Sequence, residues 1–234
     1  MLAEFDFERA WLAKFSQCLR DLAGDEIRDE VMDGSDNLSE ATEPLEVIHW
    51  IRGAMERLEA NVDQGSLRSI MAGCACQYPT SDLEDLRREY EASRDINVVH
   101  RMLQEHFEVL LRDTLGLEKE LVAEVVEKGW GTAGVFQGDT IIATKIPKSG
   151  YLVEYLRETH PERKRQIYCH CPRVRDALAL SEKLPSSYCY CGAGFYKGIW
   201  EEILQASVDV EVLESVLAGG EVCKVAIHLP EACK

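Results

Sequence analysis

The spacing of apolar residues changes once along this chain of 234 residues, near Trp130. That change limits the fold more than any other feature. Before it, apolar side chains return every three or four residues, the period of one helix face. After it, they alternate or sit between glycines, the pattern of strands and turns. Phe5, Leu12, Phe15, Leu19 and Leu22 form a first stripe, and Asp33 to Glu43 reads as a loop. Pro44 opens a second helix with Leu45, Ile48, Ile51, Met55 and Leu58 on one face. Ser81 to Glu84 spells a capping box ahead of a short charged helix. Asp95 then precedes Ile96, Val99, Leu103, Phe107 and Leu110, Gly116 closes that helix, and Glu118 to Lys128 supplies another.

Past Gly129-Trp-Gly131, Val135 to Ile146 predicts two strands turning at Gln137-Gly-Asp139. Tyr151 to Glu158 fits helix or extended chain equally. Pro172 starts a helix carrying Val174, Leu178 and Leu180. Tyr188-Cys-Tyr-Cys191 alternates like a strand and breaks at Gly192 and Gly194, and Phe195 to Leu204 returns to helical spacing. Val208, Val210, Val212 and then Val222, Val225, Ile227 predict two strands joined at Gly219-Gly220. The expected fold is α+β: a helical region over residues 1–129, then an α+β domain over 130–234 that ends in an antiparallel hairpin.

The formal net charge is −16. Such a chain is a poor binder of nucleic acid, which needs Lys and Arg against phosphates, and of an anionic membrane surface. The charge is uneven, however. Residues 141–180 hold eight basic side chains against four acidic ones, a basic island in an acidic chain. The acidic N-terminus predicts no export signal, and no apolar run is long enough to span a membrane as a helix. The expectation is a cytoplasmic protein with reduced thiols. A homodimer is compatible with this composition.

In that setting nine cysteines point to metal ligation or thiol chemistry rather than structural disulfides. Six of them form Cys-x-Cys pairs: Cys74/Cys76, Cys169/Cys171 and Cys189/Cys191. Residues two apart on a strand share a face, so Cys169, Cys171, Cys189 and Cys191 can converge on one ion. Zinc is the first choice and iron the alternative, although zinc sites usually space their cysteines more widely. Cys18 reads as a small buried hydrophobe, Cys74/Cys76 as either ligand or packing, and Cys233 as part of a tail. A reactive thiol is the competing reading. Pro172 puts Cys171 at a helix N-cap, Arg173 and Arg175 are near, and His170 or His228 offers a base. His49, His100 and His106 read as packed or solvated helix residues.

A small-molecule pocket would draw on Trp130, Tyr188, Tyr190, Phe195, Tyr196 and Trp200, with Lys145, Lys148 and Arg173 suited to a carboxylate. Core packing is the ordinary alternative for the aromatics.

Cys191-Gly-Ala-Gly-Phe-Tyr-Lys-Gly198, a helix, two strands with Leu213-Glu-Ser215, and Gly219 four residues before Cys223 together carry a resemblance. Over about residues 165–229 the chain resembles the vinyl-reductase-type small-molecule-binding domain. That domain occurs in bacterial sensors of aromatic compounds and in related hydrolases of 2-amino-thiazoline-4-carboxylate. The whole chain is also similar to a bacterial family of unknown activity with Gly-Trp-Gly and Cys-His-Cys-Pro motifs. In the sensors, cysteines and a glutamate hold zinc; the resemblance implies Cys191 or Cys189, Glu214 and Cys223 as ligands here. Ser215 stands where the sensors have a further cysteine, which leaves that place to Cys189 or to the Cys169/Cys171 pair. The expectation is a small-molecule-binding or sensing protein with a zinc-thiolate site and an anionic ligand. The alternative is a hydrolase using metal-bound water, or Cys171 with His170. A redox switch between the Cys-x-Cys pairs is a third reading, hampered by the poor geometry of bridging thiols two residues apart.

Overall fold

A computed structural model describes residues 6–231 of the chain; Phe5 and Cys233 lie outside them. Helices α1 (Phe7–Ala23), α2 (Asp25–Val31), α3 (Pro44–Asn61) and α4 (Gln64–Gly73) come first. They are followed by α5 (Glu84–Ser93), α6 (Ile96–Val109) and α7 (Lys119–Glu127). Strands β1 (Val135–Gln137) and β2 (Thr140–Thr144) lead to α8 (Leu152–Arg157), α9 (Pro161–Tyr168) and α10 (Pro172–Leu180). Helix α11 (Tyr190–Leu204) precedes β3 (Asp209–Glu214) and β4 (Lys224–His228). The fold is α+β, helical at its N-terminal end, with an antiparallel hairpin near the C-terminus. Among the described residues no helix is long and apolar enough to cross a membrane.

The chain divides into two compact units, each made of two separated segments. Unit 1 takes residues up to 76 and 169–194; unit 2 takes 77–168 and those from 195 on. The change of pattern near Trp130 therefore falls inside unit 2.

In unit 1, α1 packs on α2 and α4, and α3 on α10. The stripes predicted from spacing face this core, Phe15 and Leu19 of α1 and Ile48, Ile51, Met55 and Leu58 of α3; Leu67, Ile70 and Met71 of α4, a helix the spacing did not predict, join them. Each such side chain contributes roughly 1.5–3 kcal/mol when removed from water. Leu22 and Leu45, also on those stripes, are exposed.

In unit 2 a four-stranded sheet runs in the order β1-β2-β4-β3, with every neighbour antiparallel. Ile141 faces Ile227 across β2 and β4, and Val212 faces Val225 across β3 and β4. The first hairpin turns at Gly138, whose φ of 68° is open to glycine and strained for most other residues. Val99, Leu103 and Phe107 of α6 are buried, as are Ile199, Trp200 and Ile203 of α11.

Three local expectations are corrected. The capping box at Ser81 does not form: a 3-10 turn occupies Thr80–Leu83, the Ser81 hydroxyl bonds Asp82, and α5 starts without a side-chain cap. At the end of α6 a π-type turn, Leu110–Thr114, inserts an extra residue, so Leu111 is buried where Leu110 was expected. Most important for the site, Tyr188-Cys-Tyr-Cys191 is not a strand. A 3-10 turn over Ser186–Cys189 runs directly into α11. The ambiguous segment after Tyr151 is helical, as α8.

Candidate functional site

Losing the strand at 188–191 changes where its two thiols go. On a helix, residues two apart point about 200° away from each other, so Cys189 and Cys191 cannot share a face as they would on a strand. One member of each Cys-x-Cys pair instead turns toward a thiol-rich region of unit 1. Cys74, at the C-terminal end of α4, is fully buried and its thiol donates to the Met71 carbonyl at 3.2 Å, while Cys76 is exposed. Cys171 is the N-cap residue of α10, as Pro172 predicts, with its sulfur 3.9 Å from the Tyr188 hydroxyl. Cys191 is the second residue of α11. Its sulfur accepts from the Trp11 indole N–H at 3.4 Å and lies 4.0 Å from the Cys74 carbonyl oxygen.

Cys191 is the hub. Its sulfur lies against the backbone of Cys74, and Cys18 and Cys171 belong to the same unit. Cys18 enters from α1. Its sulfur lies over Gly73, where a Cβ would stand only 2.7 Å away, so the glycine admits the thiol beside Cys74. Nothing in the local sequence pattern pairs residue 18 with residue 73.

An ordered polar chain borders these thiols. Arg173 is only 3% exposed and Glu8 9%. The guanidinium Nε donates to both Glu8 carboxylate oxygens at 3.1 and 3.0 Å, Nη2 also bonds Glu8, and Nη1 donates to the Tyr188 hydroxyl at 3.1 Å. The same guanidinium stacks 4.1 Å from the Trp11 ring centre. Glu8 carried a readable signal: a carboxylate three and four residues before Trp11 and Leu12 stands on the buried face of α1 and needs a cation.

Burial decides the protonation of the thiols. It pushes Cys74 well above its ordinary range, helped by Cys191 and Cys18 and opposed by Arg173. It also raises Cys171 against the pull of Arg173, and raises Cys18, where Asp21 adds to it. Cys169 and His170, between α9 and α10, and Cys189, at the end of the 3-10 turn, are half-buried.

Cys223 and Glu214 belong to unit 2. Tyr168 links the loop ends there: its hydroxyl accepts from the Cys223 N–H at 3.0 Å and donates to the Lys145 carbonyl. The Cys223 thiol is raised by burial, partly offset by the Val216 N–H and by Lys145. One Glu214 oxygen accepts from the backbone N–H groups of Glu221 and Val222 at 2.9 and 3.3 Å, and the other pairs with Lys224 at 3.4 Å. Burial is the largest single influence and opposes ionisation, but those donors together hold the carboxyl below its usual range. Glu214 thus clamps its own hairpin loop. Among the described residues, no three His, Cys, Asp or Glu side chains are gathered as a metal site.

The residues expected to bind a ligand fall in both units. In unit 1, Arg173 already holds a carboxylate, that of Glu8, and Tyr190 lies under Arg68 at 5.2 Å. In unit 2, Trp130 and Tyr196 are buried, Trp130 meeting Tyr155 edge-on at 5.8 Å. Lys145 lies 6.0 Å from the Phe195 ring, and Lys148 5.6 Å from that of Tyr151. An open groove of about 640 Å³ in unit 1 is lined by Arg9, Leu12, Arg28, Asp33 and neighbours, none of them in the expected set.

Residues 162–234 match a family of unknown function (DUF6144), a stretch that includes Cys169, Cys171, Cys189, Cys191, Glu214 and Cys223. Neither the curated proteins nor the solved structures contain a match to the chain.

Proposed function

We propose that the chain is a metal-binding thiol protein whose working centre is Cys18, Cys74, Cys171 and Cys191 of unit 1, with zinc as the ion. The observation that carries this reading is the position of Cys191, whose sulfur lies 4.0 Å from the Cys74 carbonyl oxygen, in the unit that also holds Cys171 and the Cys18 sulfur over Gly73. Four thiols from four separate segments form a donor set suited to zinc, with iron the alternative. The sulfurs have to turn inward on binding, because no three ligating groups are gathered as they stand among the described residues. Neutral buried thiols must also give up protons to the solvent, so affinity rises with pH. A cytoplasmic setting, where thiols stay reduced, suits such a centre.

Elemental analysis and zinc titration against a chromogenic chelator test the proposal. The full chain is expected to hold about one zinc per molecule. Cys74→Ser and Cys191→Ser should release it, whereas Cys76→Ser, Cys169→Ser and Cys189→Ser should retain it. A wild-type chain that yields all its zinc to a weak competitor overturns the proposal. So does equal loss in the Cys76 variant.

A further inference from the structure

We propose that Cys74 and Cys191 are a reversible disulfide pair, oxidised by a peroxide and restored by a dithiol reductant. The inference concerns the same thiol centre, but it needs only the close approach of these two residues, not a bound ion. Bridging within a Cys-x-Cys pair is geometrically poor. Cys74 and Cys191 come from different pairs, 117 residues apart, and the fold brings the two residues together, with the Cys191 sulfur 4.0 Å from the Cys74 carbonyl oxygen. Gly194 makes the approach possible: any Cβ there would collide with the Ala72 carbonyl, so α11 can lie against the end of α4 only with glycine at this position.

The two cysteines differ in access. Cys74 is fully buried, whereas Cys191 is half-buried, stands in the first turn of α11 and takes an N–H from Trp11 on its sulfur. Cys191 is accordingly the thiol that meets the oxidant. Its sulfur attacks one peroxide oxygen, the O–O bond breaks, and a sulfenic acid and one water result. The Cys74 sulfur then attacks the sulfenic sulfur; the S–O bond breaks, the S–S bond forms, and a second water leaves with the Cys74 proton. Two thiols lose two electrons and two hydrogens, and the peroxide gains both. A dithiol reverses the step by exchange through a mixed disulfide.

The test uses the full chain, once after chelation and once loaded with zinc. Hydrogen peroxide is added, remaining thiols are alkylated, and the digest is analysed by mass spectrometry before and after a dithiol reductant. In the chelated protein the main linked peptide is expected to join Cys74 to Cys191, two hydrogens lighter and lost on reduction. Cys74→Ser should leave a sulfenic acid on Cys191 that dimedone traps, and Cys191→Ser should leave Cys74 unoxidised; circular dichroism checks that both variants fold. A main cross-link between other cysteines, or oxidation of Cys191 with no cross-link, overturns the inference. A Cys74–Cys191 disulfide in a chain that binds no zinc removes only the metal reading. Zinc binding without the disulfide removes only this one.

Discussion

Arg173 shows how one residue's role depends on a partner far away in sequence. Its position two residues after Cys171 makes it a natural tuner of a thiolate or a receptor for a ligand carboxylate. In the folded chain the guanidinium fork is taken by Glu8, 165 residues away, with Tyr188 on the remaining nitrogen. Such a pair, once buried, is costly to break from one side. Arg173→Ala leaves the Glu8 carboxylate without its partner, and unfolding in urea should show a loss of roughly 3–5 kcal/mol at unchanged m-value. Replacing both partners by apolar residues, Glu8→Leu with Arg173→Met, should recover most of that loss. If the double variant is no more stable than Arg173→Ala, the pair is not the source of the cost. Glu8 on an apolar stripe advertised a need for a cation, but one-dimensional spacing could not choose among the basic residues of the chain.

At the scale of elements, most of the fold was readable because period and punctuation agree. Pro44 and Pro172 start helices where expected, Asp95 caps α6 by accepting the Asn97 N–H, and both predicted hairpins form. The segment at 188–191 failed for a physical reason: four residues alternating Tyr and Cys are too few to separate a strand from a helix start. Gly192 and Gly194 also looked like breakers when one of them serves close packing. That distinction is measurable along a single helix. Gly194→Ala should destabilise unit 1 by roughly 1–3 kcal/mol, since backbone rather than a flexible side chain blocks the added methyl. Gly198→Ala, in the same helix with open space around it, should stabilise by about 0.5–1 kcal/mol. Two substitutions of the same sign would show that Gly194 is merely a weak helix residue.

For the whole molecule, the informative boundary is not the one written in local pattern. Periodicity changes near residue 130, but compact packing divides the chain at 76, 168 and 194. Local spacing reports which element a residue joins; it carries nothing about which distant segments complete a core. Cys18 and Cys74 therefore seemed remote from Cys171 and Cys191, although all four belong to one unit. The division also has a consequence for fragments. Residues 1–129 contain α1 to α4 but lack α10, which packs on α3, while 130–234 hold the sheet without α6. Neither piece owns a complete core, so each should lack a cooperative urea transition and give weak near-ultraviolet circular dichroism, while the intact chain shows both. Mixing the two fragments should restore part of the signal, because the missing contacts are noncovalent. A cooperative transition in fragment 130–234 alone, at the denaturant midpoint of the intact chain, would instead make the pattern boundary the structural one and leave Cys171 and Cys191 in a body that folds without Cys18 and Cys74.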